Sequence, residues 1–159
     1  MNEQLKKIKM LLLDVDGTMT DAGIYINEDG SQFKKFNARD GIGIRMLMKK
    51  GVDVGIISHS LSKSMVDTRS NMLGMKHCYV GQEDKVKILM EWSEKLGIAP
   101  SEFAYIGDDV NDLSIMNAVG FTACPSDALP AVKDFVDVVL KLKGGDGCVR
   151  EFIDNYLMN

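Results

Sequence analysis

Short apolar runs alternate along the chain with stretches in which apolar residues recur every three to four positions. The runs predict strands at residues 8–13, 52–57, 103–106, 119–123 and 135–140. The periodic stretches predict helices at residues 41–50, 62–73, 83–96 and 111–117. Strands that are apolar on both faces and alternate with helices are typical of a parallel sheet covered by helices. We therefore expect a single α/β domain over residues 1–159, with a Rossmann-like parallel sheet.

One segment interrupts this alternation. Residues 24–26 and 31–36 flank a turn that contains Asp29 and Gly30, which predicts a β-hairpin. The hairpin, about residues 22–37, lies between the first strand and the first long helix, where a connection normally has two to six residues. Two interpretations stay open: a functional flap beside the strand ends, or an edge extension of the main sheet.

Composition excludes several classes of protein. The 159 residues are 45% hydrophobic and 26% charged, and the net charge is −4, which is ordinary globular usage. No basic stripe is present, which argues against nucleic-acid binding. The apolar runs are too short to span a bilayer, and the first residues have no apolar segment typical of a secretory signal. We expect neither nucleic acid nor membrane as a partner.

The three cysteines, Cys78, Cys124 and Cys148, are far apart and have no CxxC spacing. This argues against a zinc finger or a disulfide scaffold and favours a reducing cytoplasm.

Polar residues follow the predicted strands where the strands end. Asp14 and Asp16 follow the first strand, Ser58 follows the second, and Asp108 and Asp109 follow a later one. Because ligands bind beyond the carboxyl ends of parallel strands, we expect these side chains to share one crevice. Carboxylates gathered there would repel one another, and Mg²⁺ is the natural cation for oxygen ligands.

Each acidic pair also has a purely structural interpretation. Asp14 and Asp16 could cap a following helix, although a cap explains one carboxylate and not both. Asp108 and Asp109 could likewise only cap the helix that begins near Val110.

Ser58 and Lys85 complete a predicted phosphate site. The Ser58 hydroxyl and the backbone N–H groups that follow it can hold anionic oxygens. Lys85, at the start of a predicted helix, can supply a positive charge to a phosphoryl group and to Asp14.

These residues, in this order, resemble the haloacid dehalogenase (HAD) superfamily, whose first motif, DxDGT, stands here at residues 14–18. The resemblance covers essentially the whole chain and implies phosphate monoester hydrolysis with Mg²⁺. It also implies a role for six residues: Asp14 as nucleophile and metal ligand, Asp16 as general acid/base and metal ligand, Ser58 as phosphate-binding hydroxyl, Lys85 as stabilising lysine, Asp108 as metal ligand and Asp112 in the shell behind the metal.

The resemblance extends to a capless subfamily, because too few residues separate Asp16 from Ser58 for a helical cap. Capless members with such a hairpin act on 3-deoxy-D-manno-octulosonate (KDO) 8-phosphate or on KDN or N-acylneuraminate 9-phosphates, and KDO 8-phosphate is the substrate we expect. The resemblance places four residues near the sugar acid: Asn37, Asp40, Arg69 and Arg150. It also implies a homotetramer in which the tail, about residues 144–159, contributes to a neighbouring subunit's pocket.

The sequence departs from this subfamily after the second strand. The subfamily usually has Thr-Gly there, followed by Arg in the eight-carbon enzymes or Glu in the nine-carbon ones. Here the residues are Ser58, His59 and Ser60, and one extra residue precedes Arg69. Because of this departure, the sequence does not decide which sugar acid is the substrate. Two interpretations of His59 stay open: a substrate contact, or a solvent-facing loop residue.

Other classes fit less well. A receiver domain needs its phospho-accepting Asp where this chain has Ser58, and a phosphomutase needs a cap. An inactive, phosphate-binding or regulatory module is the remaining alternative. It would be expected to lose Asp14, Asp16 or Lys85, all of which are present.

Overall fold

The computed structural model describes residues 3–158. A six-stranded sheet has the order β5-β4-β1-β6-β7-β8, and its neighbouring strands pair in parallel. Its strands are β1 (Met10–Leu13), β4 (Asp53–Ser58), β5 (His77–Val80), β6 (Phe103–Ile106), β7 (Phe121–Cys124) and β8 (Val138–Val139). The hairpin strands β2 (Tyr25–Ile26) and β3 (Gln32–Phe33) pair with each other in a separate antiparallel sheet.

Helices cover both faces of the sheet. They are α1 (Ala38–Lys50), α2 (Lys63–Leu73), α3 (Lys85–Leu96), α4 (Leu113–Met116), α5 (Pro130–Lys133) and α6 (Cys148–Phe152). The central strand β1 is fully buried, and its side chains alternate between two cores. Leu11 and Leu13 pack in the core that contains α1, α2 and α6 residues, whereas Met10 and Leu12 pack in the core that contains α3, α4 and α5 residues. The fold prediction is confirmed, since a strand buried on both faces must be apolar throughout.

Several predicted boundaries were wrong. The last strand is only Val138–Val139, and the helix predicted at 111–117 is a 3₁₀ turn (Val110–Asp112) followed by the short α4. Strand β5 was missed because it lies at the edge of the sheet and its residues, from His77 to Tyr79, are only partly buried. The short helices α5 and α6 were also missed, because four or five residues are too few to establish a helical period.

This hairpin, the flap, does not extend the main sheet, so the interpretation as an edge extension is wrong. Besides its own pairing, it is joined to the chain leaving β1 by a bridge between Thr20 and Phe36. The carboxyl ends of β1, β4 and β6 lie side by side, because β1 pairs with β4 on one side and β6 on the other. This arrangement brings the segments that begin with Asp14, His59 and Gly107 to one edge of the sheet.

Candidate active site

Lys85 is the centre of a buried charge cluster at this edge. Its side chain is 1% exposed, and its Nζ donates to Asp14 Oδ1 at 2.9 Å and to Asp112 Oδ1 at 2.6 Å. Burial alone lowers the pKa of the ammonium, but Asp14 and Asp112 more than offset this and leave the pKa above its usual value. A buried lysine is tolerated only with such partners, so Lys85 is held charged against the end of β1.

Asp112 holds the cluster together with both of its carboxylate oxygens. Its Oδ1 also accepts a 2.6 Å hydrogen bond from the Tyr105 hydroxyl, and its Oδ2 accepts the backbone N–H groups of Asp108 and Asp109 at 3.0 and 3.4 Å. Asp112 therefore orients the loop after β6. Tyr105 was missed at the sequence level. The available signal was a hydroxyl-bearing residue in a strand that is otherwise apolar.

Asp14, Asp108 and Asp112 form an acidic cluster that fits a divalent cation. One ligand atom from each lies within 4.8 Å of the others, and Asp108 Oδ1 is buried with no hydrogen-bond partner among the described residues. Burial, followed by repulsion from Asp14 and Asp112, raises the pKa of Asp108 to about 8. Burial and Asp112 raise the pKa of Asp14 to about 7, against the opposing effect of Lys85. Carboxylates held this way suit Mg²⁺, which takes oxygen ligands.

Asp16 is placed differently from Asp14. A tight turn, Val15–Met19, begins directly after Asp14, and its backbone is non-helical at Asp16 and at Gly17, which has φ +87°. The Asp16 side chain is 41% exposed, and its Oδ1 lies 2.6 Å from Lys34 Nζ of the flap. The carboxylates of Asp14 and Asp16 thus have different partners, and the role of Asp16 as a metal ligand stays a prediction.

A cavity of about 160 Å³ joins the catalytic candidates to the loop after β4. Its lining is Asp14, Asp16, Ser58, His59, Ser60, Asp109 and Asn111. Ser58 is buried and its Oγ accepts the Ser60 N–H at 3.1 Å. The cavity therefore has residues with carboxylate and hydroxyl groups around one small volume, and a phosphoryl group of that size could be held there.

Asp109 does act as a cap. Its Oδ1 accepts the N–H of Val110 at 2.6 Å at the start of the 3₁₀ turn. The capping interpretation thus holds for Asp109, whereas Asp108 belongs to the acidic cluster.

His59 is half-buried and bound to the neighbouring loop. Its Nε2 lies 2.8 Å from the Glu83 carbonyl oxygen. His59 is thus a partly exposed loop residue that also makes a contact within the chain, and its contact with substrate stays a prediction. The side chain both borders the cavity and bridges two loops.

The four residues predicted near the sugar acid are engaged in contacts within the chain. Asn37 caps α1 with its Oδ1 and donates its amide to the Gly145 carbonyl at 3.1 Å. Arg69 donates to the Asn37 carbonyl at 3.0 Å. Asp40 accepts the Arg150 N–H at 2.8 Å, and burial raises the pKa of Asp40 to about 6. All four residues are absent from the lining of the 160 Å³ cavity, and their contact with a sugar stays a prediction.

Arg69 borders a different, more apolar groove. This groove of about 480 Å³ lies between the flap and α2, and it is lined by Phe33, Lys34, Phe36, Ser64, Met65, Thr68, Arg69 and Met72. Lys34 borders the groove and contacts Asp16, which borders the 160 Å³ cavity, so one ion pair links the walls of the two spaces.

The tail after β8 supports the loop that carries Asp16. The Gly145 N–H donates to the Thr18 carbonyl at 3.1 Å, and Cys148 Sγ donates to the same carbonyl at 3.3 Å. A Cβ at Gly144 would lie 1.9 Å from the Gly17 carbonyl oxygen, so the two backbones are in direct contact. The tail thus packs on its own subunit's site, and its contribution to a neighbouring subunit stays a prediction.

Comparison with known proteins finds relatives among hydrolases and phosphatases. Residues 57–152 match the family model of the haloacid dehalogenase-like hydrolases. The chain is 40% identical over 153 residues to the 3-deoxy-D-manno-octulosonate 8-phosphate phosphatase KdsC of Escherichia coli strain K12, covering 96% of this chain and 81% of that protein.

Solved structures agree in fold. The crystal structure of the 3-deoxy-D-manno-octulosonate 8-phosphate phosphatase from Yersinia pestis has a TM-score of 0.93 at 40% identity, with 98% of this chain and 84% of that chain covered. The enzyme from Moraxella catarrhalis, solved with magnesium, phosphate and KDO, has a TM-score of 0.91 at 37% identity, with 99% and 91% covered.

Proposed function

The chain belongs to the haloacid dehalogenase-like hydrolase family, and from this premise we propose that it is a Mg²⁺-dependent phosphatase of KDO 8-phosphate. The observation that carries the proposal is the buried Lys85, which links Asp14 to Asp112 beside the cavity that contains Ser58. The similarity to KDO 8-phosphate phosphatases over nearly the whole chain supports the choice of substrate.

Asp14 and Asp16 carry the bond changes in this proposal. A carboxylate oxygen of Asp14 bonds to phosphorus as the bond from phosphorus to the sugar oxygen breaks. Asp16 gives its proton to that leaving oxygen and then takes a proton from water. The water oxygen bonds to phosphorus, the aspartyl–phosphate bond breaks, and inorganic phosphate leaves with Asp14 restored.

Lys85, Ser58 and the acidic cluster hold the phosphoryl group during these steps. Lys85 places a fixed ammonium beside Asp14, where negative charge collects in the transition state. The Ser58 hydroxyl can donate to a phosphoryl oxygen from the cavity wall. Asp14 and Asp108 would hold Mg²⁺, with Asp16 contributing to the same site and Asp112 orienting the loop behind it. When bound, the ion supplies charge neutralisation and Lewis acidity.

The phosphate of a nine-carbon sugar acid is the second candidate. The eight-carbon enzymes of the subfamily have Gly-Arg after the second strand and the nine-carbon ones have Gly-Glu, whereas this chain has His59 and Ser60 and so matches neither.

The test of the sugar compares phosphate release from KDO 8-phosphate, KDN 9-phosphate and N-acetylneuraminate 9-phosphate, with Mg²⁺ and with EDTA. We expect KDO 8-phosphate to give the highest kcat/KM, and EDTA to abolish turnover. Preference for a nine-carbon substrate would overturn the sugar assignment.

The Asp14→Asn variant tests the chemistry separately from the sugar. It should retain the circular dichroism spectrum of the wild type and lose phosphate release from every substrate, including p-nitrophenyl phosphate. Turnover by this variant at the wild-type rate would reject Asp14 as nucleophile and would favour a phosphate-binding module.

We also propose a homotetramer in the cytoplasm. The flap exposes apolar side chains, including Ile24 at 79% and Ile26 at 63%, and such surface commonly marks an interface. The three cysteines are free, as in a reducing compartment. Within residues 3–158, no helix has the length and apolar character needed to cross a membrane.

A further inference from the structure

Two site loops are tied together beyond the ends of β4 and β5. The backbone ladder between these strands continues to a 3.1 Å hydrogen bond from the Gly81 N–H to the Ser58 carbonyl. Past this point, the Gln82 side-chain amide donates to the His59 carbonyl at 3.0 Å, and His59 Nε2 bonds to the Glu83 carbonyl at 2.8 Å. Since a carbonyl oxygen only accepts, Nε2 must carry a proton and donate.

The Glu83 backbone is consequently held on both sides. Its N–H donates to the Tyr79 hydroxyl at 3.0 Å, and its carbonyl accepts from His59. Asp84 follows directly and caps α3 by accepting the Val86 N–H at 2.8 Å, and Lys85 is the first residue of that helix. The His59 ring thus fixes the backbone two residues before the buried ammonium.

We propose that His59 is a positioning residue, which sets Lys85 relative to Ser58 through its hydrogen bond to the Glu83 carbonyl. This inference rests on the proposed phosphatase function. In the proposed phosphatase Ser58 and Lys85 act on the same phosphoryl group. Ser58 is the last residue of β4 and Lys85 the first of α3, so their relative placement depends on the contacts between the loops that adjoin them. Small displacements of catalytic groups are costly because the reacting atoms must be aligned.

His59 was the residue that the comparison with the subfamily pattern left open, because glycine usually stands there. A glycine offers no side-chain donor, so this hydrogen bond requires a residue such as histidine whose side chain can donate. The bond acts on the phosphate site and not on the sugar. Its loss should therefore affect all phosphate monoesters alike, whatever their leaving group.

Kinetics of four variants test the proposal with KDO 8-phosphate and p-nitrophenyl phosphate. For His59→Ala we expect kcat to fall about three- to tenfold on both substrates, as for one lost hydrogen bond. His59→Gln, whose amide can also donate, should recover most of the loss, and Gln82→Ala should weaken turnover in the same direction. His77→Ala removes the other histidine, which lies at the far end of β5 beside Asp53, and should leave kcat unchanged.

Two kinetic results would overturn the proposal. One is a His59→Ala effect confined to KM for the sugar substrate, which would make His59 a substrate contact. The other is full activity of His59→Ala, or a loss that His59→Gln does not recover.

A spectroscopic measurement keeps the proposal testable even if no substrate is turned over. With histidine labelled by ¹⁵N, long-range ¹H–¹⁵N correlations at about pH 8, where a typical imidazole is neutral, identify the protonated ring nitrogen. We expect His59 to be protonated at Nε2, with the signal lost in His59→Gln and retained in His77→Ala. Protonation of His59 at Nδ1 would contradict the hydrogen bond and, with it, the positioning role.

Discussion

Lys34 of the flap forms a 2.6 Å ion pair with Asp16, 18 residues earlier in the chain. The Lys34 side chain is only 13% exposed, and it also borders the groove between the flap and α2. The ion pair therefore connects the flap, the groove and the proposed general acid/base. It gives the flap a direct contact with the catalytic loop within a single subunit.

Replacing Lys34 should impair turnover with little effect on stability. For Lys34→Met we expect kcat/KM to fall about three- to tenfold, as one hydrogen-bonded contact to Asp16 is lost. The melting temperature should hardly change, because a partly exposed ion pair contributes little to folding. Steady-state phosphate release and thermal melts measure the two effects.

The matched control is Lys35→Met, since Lys35 is more exposed and lies 3.6 Å from Asp21. Equal losses of kcat/KM in both variants would show that turnover depends on the total charge of the flap and not on the ion pair between Lys34 and Asp16.

Gly17 is expected to be irreplaceable for steric reasons. A Cβ there would lie 2.0 Å from Asp108 Oδ2, and its φ of +87° is unfavourable for any other residue. Gly17→Ala should displace the Asp108 carboxylate and abolish most activity. Gly51→Ala is the control, because Gly51 has φ +98° but open space at its Cβ.

Both alanine variants should lose about 1–3 kcal/mol of stability from backbone strain, measurable by urea unfolding. Only Gly17→Ala should lose activity and the stabilisation by Mg²⁺. Normal Mg²⁺-dependent turnover by Gly17→Ala would show that the Asp108 carboxylate can move away from the new Cβ without loss of activity.

Stability without Mg²⁺ should decrease as pH rises. In the folded state the pKa values of Asp14 and Asp108 are raised to about 7 and about 8 from 3.8. Between pH 4 and pH 8 the folded state therefore holds more protons than the unfolded state, and its stability falls with rising pH. Binding of a cation requires the deprotonated carboxylates, so its affinity should increase over the same range.

Thermal melts with EDTA or millimolar Mg²⁺ at about pH 6 and about pH 8.5 measure this linkage. The rise in melting temperature caused by Mg²⁺ should be larger at the higher pH, and Asp108→Asn should remove most of it. If Mg²⁺ raised the melting temperature equally at both pH values, protons and Mg²⁺ would not compete for the carboxylates of Asp14 and Asp108.

The exposed apolar flap should be required for self-association. Ile26 is 63% exposed on the flap, so a charge there should disfavour an interface without disturbing the core. Light scattering should give a smaller mass for Ile26→Glu than for the wild type. Met90→Glu, at an exposed position on α3, should retain the wild-type mass. A monomeric wild-type protein would reject the tetramer.

The order of apolar and polar residues along the chain determined the layered fold and the edge of the sheet at which the candidate site lies. Strands such as β1 are apolar at every position, which requires burial on both faces and predicts a parallel sheet. Since parallel strands end together, Asp14, Ser58 and Asp108 could be assigned to one crevice from their positions after apolar runs. The edge strand β5 escaped detection, because a partly buried strand lacks that continuous apolar signal.

Tertiary structure alone decided which side chains meet within that crevice. The sequence does not show that Tyr105 and Lys85 share Asp112, that Asp16 pairs with Lys34, or that His59 binds the Glu83 carbonyl. Each of these contacts joins side chains or loops from different elements, and its geometry depends on how the helices, the flap and the tail pack around the sheet. Hydrophobic periodicity specifies which face of an element is buried, whereas hydrogen bonds of 2.6–3.1 Å depend on the final placement of both partners.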